Sequence, residues 1–227
     1  MSLDTETPGA QMAKPARTPQ LDEKKLLGVL QKYACPVPYH EVRTRFLGNI
    51  ATPARSASPI RVVKGLWGGE LPEFESMDAV NELIGLLING LWNDLTRHQK
   101  RTEPFRLIRR PVEQTRAGLA AYALMRRQEL DGFIEGVMNG EEELELPEKA
   151  TAALDILAEL RAMVAGVHRL AADEGRAGSE QEMATSLKQL QELTPIIERE
   201  MHAAVLACTR ARRQVLQSPR AGGPTFH

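Results

Sequence analysis

Cysteine, aromatic side chains, net charge and long apolar runs are all scarce in this sequence, and each shortage narrows what the chain can be. The two cysteines, Cys35 and Cys208, stand far apart with no partner nearby in sequence. That is no disulfide framework, and free thiols in a reducing cytoplasm are the expectation. Aromatic residues make up 4% of the chain, while Ala, Leu, Glu and Arg abound, a balance that favours helix over strand. No run of about 18 apolar residues occurs, so no membrane-crossing helix is expected. The opening MSLDTETPGAQMAKPARTPQ lacks the apolar stretch of a secretory signal. The formal net charge of -1 gives no global attraction to nucleic acid or to a membrane surface. Glycine-rich phosphate loops, dinucleotide turns and nucleophile elbows are absent as motifs, so no cofactor and no catalytic residue are expected.

What is present is helical periodicity in a chain of 227 residues, long enough to bury a sizeable core. Residues 1–20 are rich in Pro, Thr, Ala and charge, without a hydrophobic period, and read as a disordered tail. Leu26, Leu27, Leu30 and Tyr33 then fall at helical spacing before Pro36 and Pro38 stop the helix. Residues 39–76 carry Gly48, Pro53, Pro59, Gly65, Gly68, Gly69 and Pro72, so short helices joined by turns are expected there. After Ser76, a candidate N-cap, Val80, Leu83, Ile84, Leu87, Leu91 and Leu95 form one stripe, widened by Leu86, Ile88 and Trp92. A helix apolar nearly all round is expected at the centre of a bundle, with Gly85 and Gly90 marking the close approach of a neighbour. Pro104 and Pro111 bracket a short basic connection. A further helix runs through Leu119, Tyr122, Met125, Phe133, Ile134 and Val137 to a stop near Asn139–Gly140, with a break near Arg126 left open.

The last third has a different texture. Ala150, Ala153, Leu157, Leu160, Val164, Val167 and Ala171 alternate at three and four residues. So do Met183, Leu187, Leu190, Thr194, Ile197, Met201, Ala204, Cys208, Ala211 and Val215. Two such seams joined by DEGRAGS predict an antiparallel, coiled-coil-like hairpin, with Ser179 and Glu182 as a capping box. Pro195 either kinks the second helix or opens a new one behind Thr194, and the kink is the preferred reading. The expected organisation is an all-α helical bundle, with a core over 21–147, the hairpin over 148–217 and a frayed tail over 218–227.

The middle of the chain is similar to a known family. The stretch LWGGELPEFESMDAVNELIGLLINGLWNDL, through Leu66, Trp67, Gly68, Pro72, Phe74, Ser76, Leu86, Leu87, Trp92 and Asn93, resembles the uncharacterised bacterial YecA/YgfB-like family. Phe46-Leu47, the run Asp131 to Gly136 and the later LAELRAMVAGVHRLA extend the likeness over about 39–172. The sequence departs from the family at Arg45, where a glycine is usual, and at Glu129, where an aromatic is usual. It also lacks the cysteine-rich zinc-binding tail of longer members, whose place the helix from Ser179 takes. The resemblance implies an all-helical cytoplasmic protein and confers no activity.

Three constellations remain. Asp94 with His98, and Glu198 with His202, each lie four apart on a helix, so a converging quartet would suit a metal; the spacing differs from the usual Glu-x-x-His and no metal site is assigned. Arg97, Arg101, Arg106, Arg109 and Arg110 begin a basic run that extends to Arg127, followed at once by Glu129, Asp131, Glu135 and the acids of 141–148. These arginines either neutralise phosphates or pair with the following acids, and the lack of interleaved aromatics favours pairing. A second basic run, Arg210, Arg212 and Arg213, suits the dipole of a helix C-terminus. Finally, the hairpin seams either bury each other or leave Leu187, Leu190, Ile197 and Met201 open to a partner helix, and the small Ala150 and Ala153 leave room for the latter. The expected function is a non-catalytic protein-binding or adaptor module of the bacterial cytoplasm, its partner another protein or a second copy. An RNA- or ribosome-associated factor is second, and a metal-dependent enzyme third.

Overall fold

The computed structural model describes residues 21–54, 56–173, 175 and 179–217; the expected tails at 1–20 and 218–227 lie outside the described residues. Among the described residues every regular element is a helix. Helix α1 (Glu23–Lys32) is capped by Asp22, whose side chain accepts from the Lys25 amide at 2.9 Å. Helix α2 (Tyr39–Ala51) starts directly after Pro38, and α3 is the short Pro59–Gly65. Turns join all three, as the punctuation of 39–76 requires.

Helix α4 starts at Met77 behind Ser76, whose hydroxyl accepts from the Ala79 amide at 3.2 Å, as expected of an N-cap. It is regular over Met77–Ile84, widens to π winding over Gly85–Trp92, returns to α over Asn93–Leu95 and tightens to 3-10 over Thr96–Gln99. Its buried apolar residues are Ala79, Leu83, Leu87, Leu91 and Leu95, one every fourth position. Such a row drifts by about 40° per step around an α-helix. The wider i→i+5 turn over Gly85–Trp92 brings the row back into line.

The expectation that α4 is central is not met. Leu86, Ile88 and Trp92 are half-buried and Asn89 is exposed. A methyl added to Gly85 would meet nothing, and one on Gly90 would meet only the Leu21 side chain. The centre belongs instead to α2 and α5 (Arg116–Met138), which bury Phe46, Leu47, Leu130 and Phe133 completely. Their backbones come together where Gly48 faces Phe133 and Val137, and where Gly136 faces Arg45 and Asn49. Glycine alone leaves room for that approach, so glycine position decides which helix sits innermost. The α5 helix is unbroken at Arg126 and stops at Asn139, which takes the left-handed conformation (φ 52°) before Gly140.

Helices α6 (Glu148–Ala172) and α7 (Glu180–Gln217) fold back on each other. The capping box forms as expected: the Ser179 amide donates to Glu182 Oε2 at 2.8 Å, and the Glu182 amide to Ser179 Oγ at 3.2 Å. Helix α7 continues through Pro195 rather than restarting, and Thr194 lies inside it, its hydroxyl donating to the Leu190 carbonyl at 3.2 Å. One hydrophobic core runs from Leu26 to Cys208 without interruption.

The partner seam is corrected by this packing. Leu187, Leu190, Ile197 and Met201 are all at most 4% exposed, covered from within the chain. The reason is the length of α7: it lies against α2, α5 and the end of α4 as well as α6, so α6 alone need not cover its seam.

Candidate functional site

Among the described residues no three His, Cys, Asp or Glu side chains come together as metal ligands. Three members of the candidate quartet, Asp94, His98 and Glu198, are engaged with other groups. Asp94 holds Arg97 at 2.8 Å. Buried His98 donates from Nδ1 to the Glu103 carbonyl at 2.8 Å and sits edge-on to Phe105. Glu198 accepts from the Leu107 amide at 2.9 Å and pairs with Arg106 and Arg109 at 2.8 and 2.9 Å. His202 has both ring nitrogens enclosed without a hydrogen-bond partner.

Burial lowers the pKa of His98, His40 and His202 below the ordinary histidine value. Each is therefore held neutral in the fold but can take a proton once unfolded. The stability this gives is present above about pH 6.5 and is lost as pH falls below it, because the unfolded chain then binds more protons. Melting temperature should thus decline between about pH 7 and pH 5.5, with a shallower slope in His98→Asn, whose amide keeps the bond to Glu103. An identical slope in that variant would show that His98 takes no part.

The basic run divides in two. Arg97, Arg106 and Arg109 have carboxylate partners within 2.9 Å, so they serve internal pairing, but the partners are Asp94 before the run and Glu198 on α7 rather than the acids that follow it in sequence. Arg101 and Arg110 are exposed and make no ion pair among the described residues. Arg126 is buried outright at 1% exposure and pairs with the equally buried Glu129. Its guanidinium also donates to the Ile108 carbonyl at 2.7 Å and to the Tyr122 hydroxyl at 3.3 Å, which lies 3.0 Å from Thr194 Oγ1. The extended segment around Leu107 is thereby held on one side by Glu129 and on the other by Glu198. Burial pushes the Glu129 carboxyl up while Arg126 pulls it down.

Neither thiol is activated. Burial raises Cys35, which donates to the Val37 carbonyl, and pushes Cys208 up to about 11.

The outward face of α6 is the feature that sequence reading missed. Ile156, Met163 and Leu170 are 38%, 54% and 51% exposed and lie seven residues apart. With Ala152 before them and Glu159 and Gly166 between them they continue a spacing of four and three along one side of the helix. The helix therefore carries two stripes, one buried through Leu157, Leu160 and Val164, the other open to solvent. The seven-residue recurrence of Ile156, Met163 and Leu170 is the signal that marks it. Charge is divided along the open face: Asp155 and Glu159 lie in the first half, His168 and Arg169 in the second. Asp155 and Arg169 are exposed and neither makes an ion pair among the described residues. Compared with protein-family models, curated proteins and solved structures, the chain shows no match.

Proposed function

We propose that this chain is a non-catalytic protein-binding module of the bacterial cytoplasm that works as a dimer, docking through the open face of α6. The observation that carries the reading is the exposed row Ile156, Met163 and Leu170 at heptad spacing, the pattern by which one helix takes another. A second copy is the occupant that the charges favour. In an antiparallel pair about a two-fold axis near Ala162, Asp155 comes opposite the partner's Arg169, and the reverse contact follows by symmetry. The same register sets the large Ile156 and Leu170 against the partner's Gly166 and the partner's Ala152, so large meets small along the contact. A like-for-like parallel pair would instead bring acid to acid. The raised thiols of Cys35 and Cys208 and the internal bonds of His98 and Glu198 support a role without catalysis. The resemblance of residues 39–172 to the YecA/YgfB-like family adds an all-helical scaffold and no activity of its own.

A single helix face lies at the small end of interface sizes, so a dissociation constant of about micromolar order is expected. Light scattering on the full chain over a concentration series should show a dimer that Met163→Glu converts to monomer. The melting temperature should change little, since the side chain stands in solvent. Asp155→Arg and Arg169→Asp should each weaken the dimer, and together restore it. A chain that stays monomeric at high concentration would remove this reading, as would a dimer indifferent to Met163→Glu.

A further inference from the structure

We infer that the cleft between the end of α4 and the end of α7 binds the linked phosphates of a di- or triphosphate. The two basic runs, more than a hundred residues apart in sequence, meet there. Lys100 and Arg101 form one wall and Arg210 and Arg213 the other, around a space of about 400 Å³ with no carboxylate in its lining among the described residues. Lys100 reaches Glu103 at 3.1 Å outside the cleft. Arg101, Arg210 and Arg213 are exposed and make no ion pair among the described residues, whereas Arg106 and Arg109 nearby in sequence are both neutralised by Glu198. Three arginines without a carboxylate partner, crowded beside Lys100, repel one another, and an anion between them removes that repulsion.

A second, independent observation points to an acceptor. Thr209 is 4% exposed and lines the cleft, and its hydroxyl has no hydrogen-bond partner. A buried hydroxyl without a partner is unusual, and a turn about χ1 toward the cleft would give it a phosphate oxygen. The walls are held in place before any ligand arrives. Gln99 and Arg212 both donate to the Ile50 carbonyl at the end of α2, at 3.4 and 2.5 Å. On α7, Arg210 and Arg213 are three apart and share one face, so with Lys100 and Arg101 opposite they match a short chain of phosphates better than one. Among the described residues no aromatic ring lines the cleft to stack a base, and the recognition is of phosphate alone.

Isothermal titration of the full chain with inorganic tripolyphosphate tests this, with pyrophosphate, orthophosphate and sulfate at matched ionic strength. Binding should strengthen with the number of linked phosphates and weaken with salt. Arg101→Ala and Arg213→Ala should each weaken tripolyphosphate binding by about tenfold, charge-assisted bonds being the strong ones. Thr209→Val, which keeps the shape and removes the hydroxyl, should weaken it several-fold with an unchanged melting temperature. Lys188→Ala removes a cation from the same helix outside the cleft and should leave binding as it was. A dissociation constant no tighter than about 1 mM for tripolyphosphate would overturn the assignment. So would equal loss in Lys188→Ala and Arg213→Ala, which would mean diffuse charge rather than a site. A short single-stranded RNA that binds where tripolyphosphate does not would also overturn it, in favour of a nucleic-acid backbone as the ligand.

Discussion

Gly136→Ala is expected to destabilise the fold by about 3 kcal/mol or more, the upper range for forcing atoms into a filled core. A methyl on Gly136 would fall on the Arg45 carbonyl oxygen and lie 3.0 Å from the Asn49 amide nitrogen. Those are backbone atoms of α2, so relief requires moving the whole helix away from α5 rather than turning a side chain. The reverse contact is as tight: a methyl on Gly48 would lie 2.8 Å from the Val137 amide nitrogen. Helix propensity acts in the opposite direction, since alanine is favoured over glycine by roughly 1 kcal/mol within a helix. Gly28→Ala isolates that term, because a methyl there meets nothing, and should raise stability by about 0.5–1 kcal/mol. Chemical denaturation of the two variants beside the parent chain checks both signs. Equal shifts in Gly136→Ala and Gly28→Ala would show that α2 and α5 do not meet at these glycines.

Arg126→Met should cost about 3–5 kcal/mol, the range for leaving one member of a buried ion pair without the other. Glu129 would remain enclosed with only the long 3.4 Å bond from the Ile108 amide, and the Ile108 carbonyl would lose its donor. A carboxyl so placed has its pKa raised in the folded state, since burial disfavours the charged form. Stability tied to a raised carboxyl pKa is present below the unfolded value and lost as pH rises through the folded one. The deficit of Arg126→Met relative to the parent chain should therefore shrink on acidification towards about pH 5. Replacing both residues, as Arg126→Met with Glu129→Leu, should recover part of the loss, because apolar pairs often substitute for buried charges. Recovery should stay incomplete, since the Ile108 carbonyl remains without its partner. A single Arg126→Met variant as stable as the parent would place the arginine at the surface.

The pair shows where sequence reading stops. Arg126 reads from sequence as one of a basic run, and Glu129 as one of the acids that follow it and as a departure, at an aromatic position, from the pattern of the resembled family. That they satisfy each other, and pin the segment between Pro104 and Pro111, depends on α5 turning both inward at a spacing of three. The same limit applies on α7. The seam of Leu187, Leu190, Ile197 and Met201 is legible, but whether a second chain or this chain covers it is not.

Local signals determined the helices by themselves. The stop at Asn139–Gly140, the N-cap at Ser76 and the capping box at Ser179 and Glu182 act within one turn of the chain, through orphan amides and carbonyls that only near neighbours reach. All-helical composition follows from the same short-range preferences. Tertiary structure alone decided which stripes are covered. Helix α6 has two, and the sequence periods of Leu157 and Met163 are equally good; α5 and α7 bury one and leave the other in solvent. It also decided that α2 and α5 are innermost, because the Gly48 and Gly136 backbones fit against each other, whereas Gly85 faces open space and Gly90 the Leu21 side chain. Burial depends on volume and on partners distant in sequence, and a period along one helix carries no information about either.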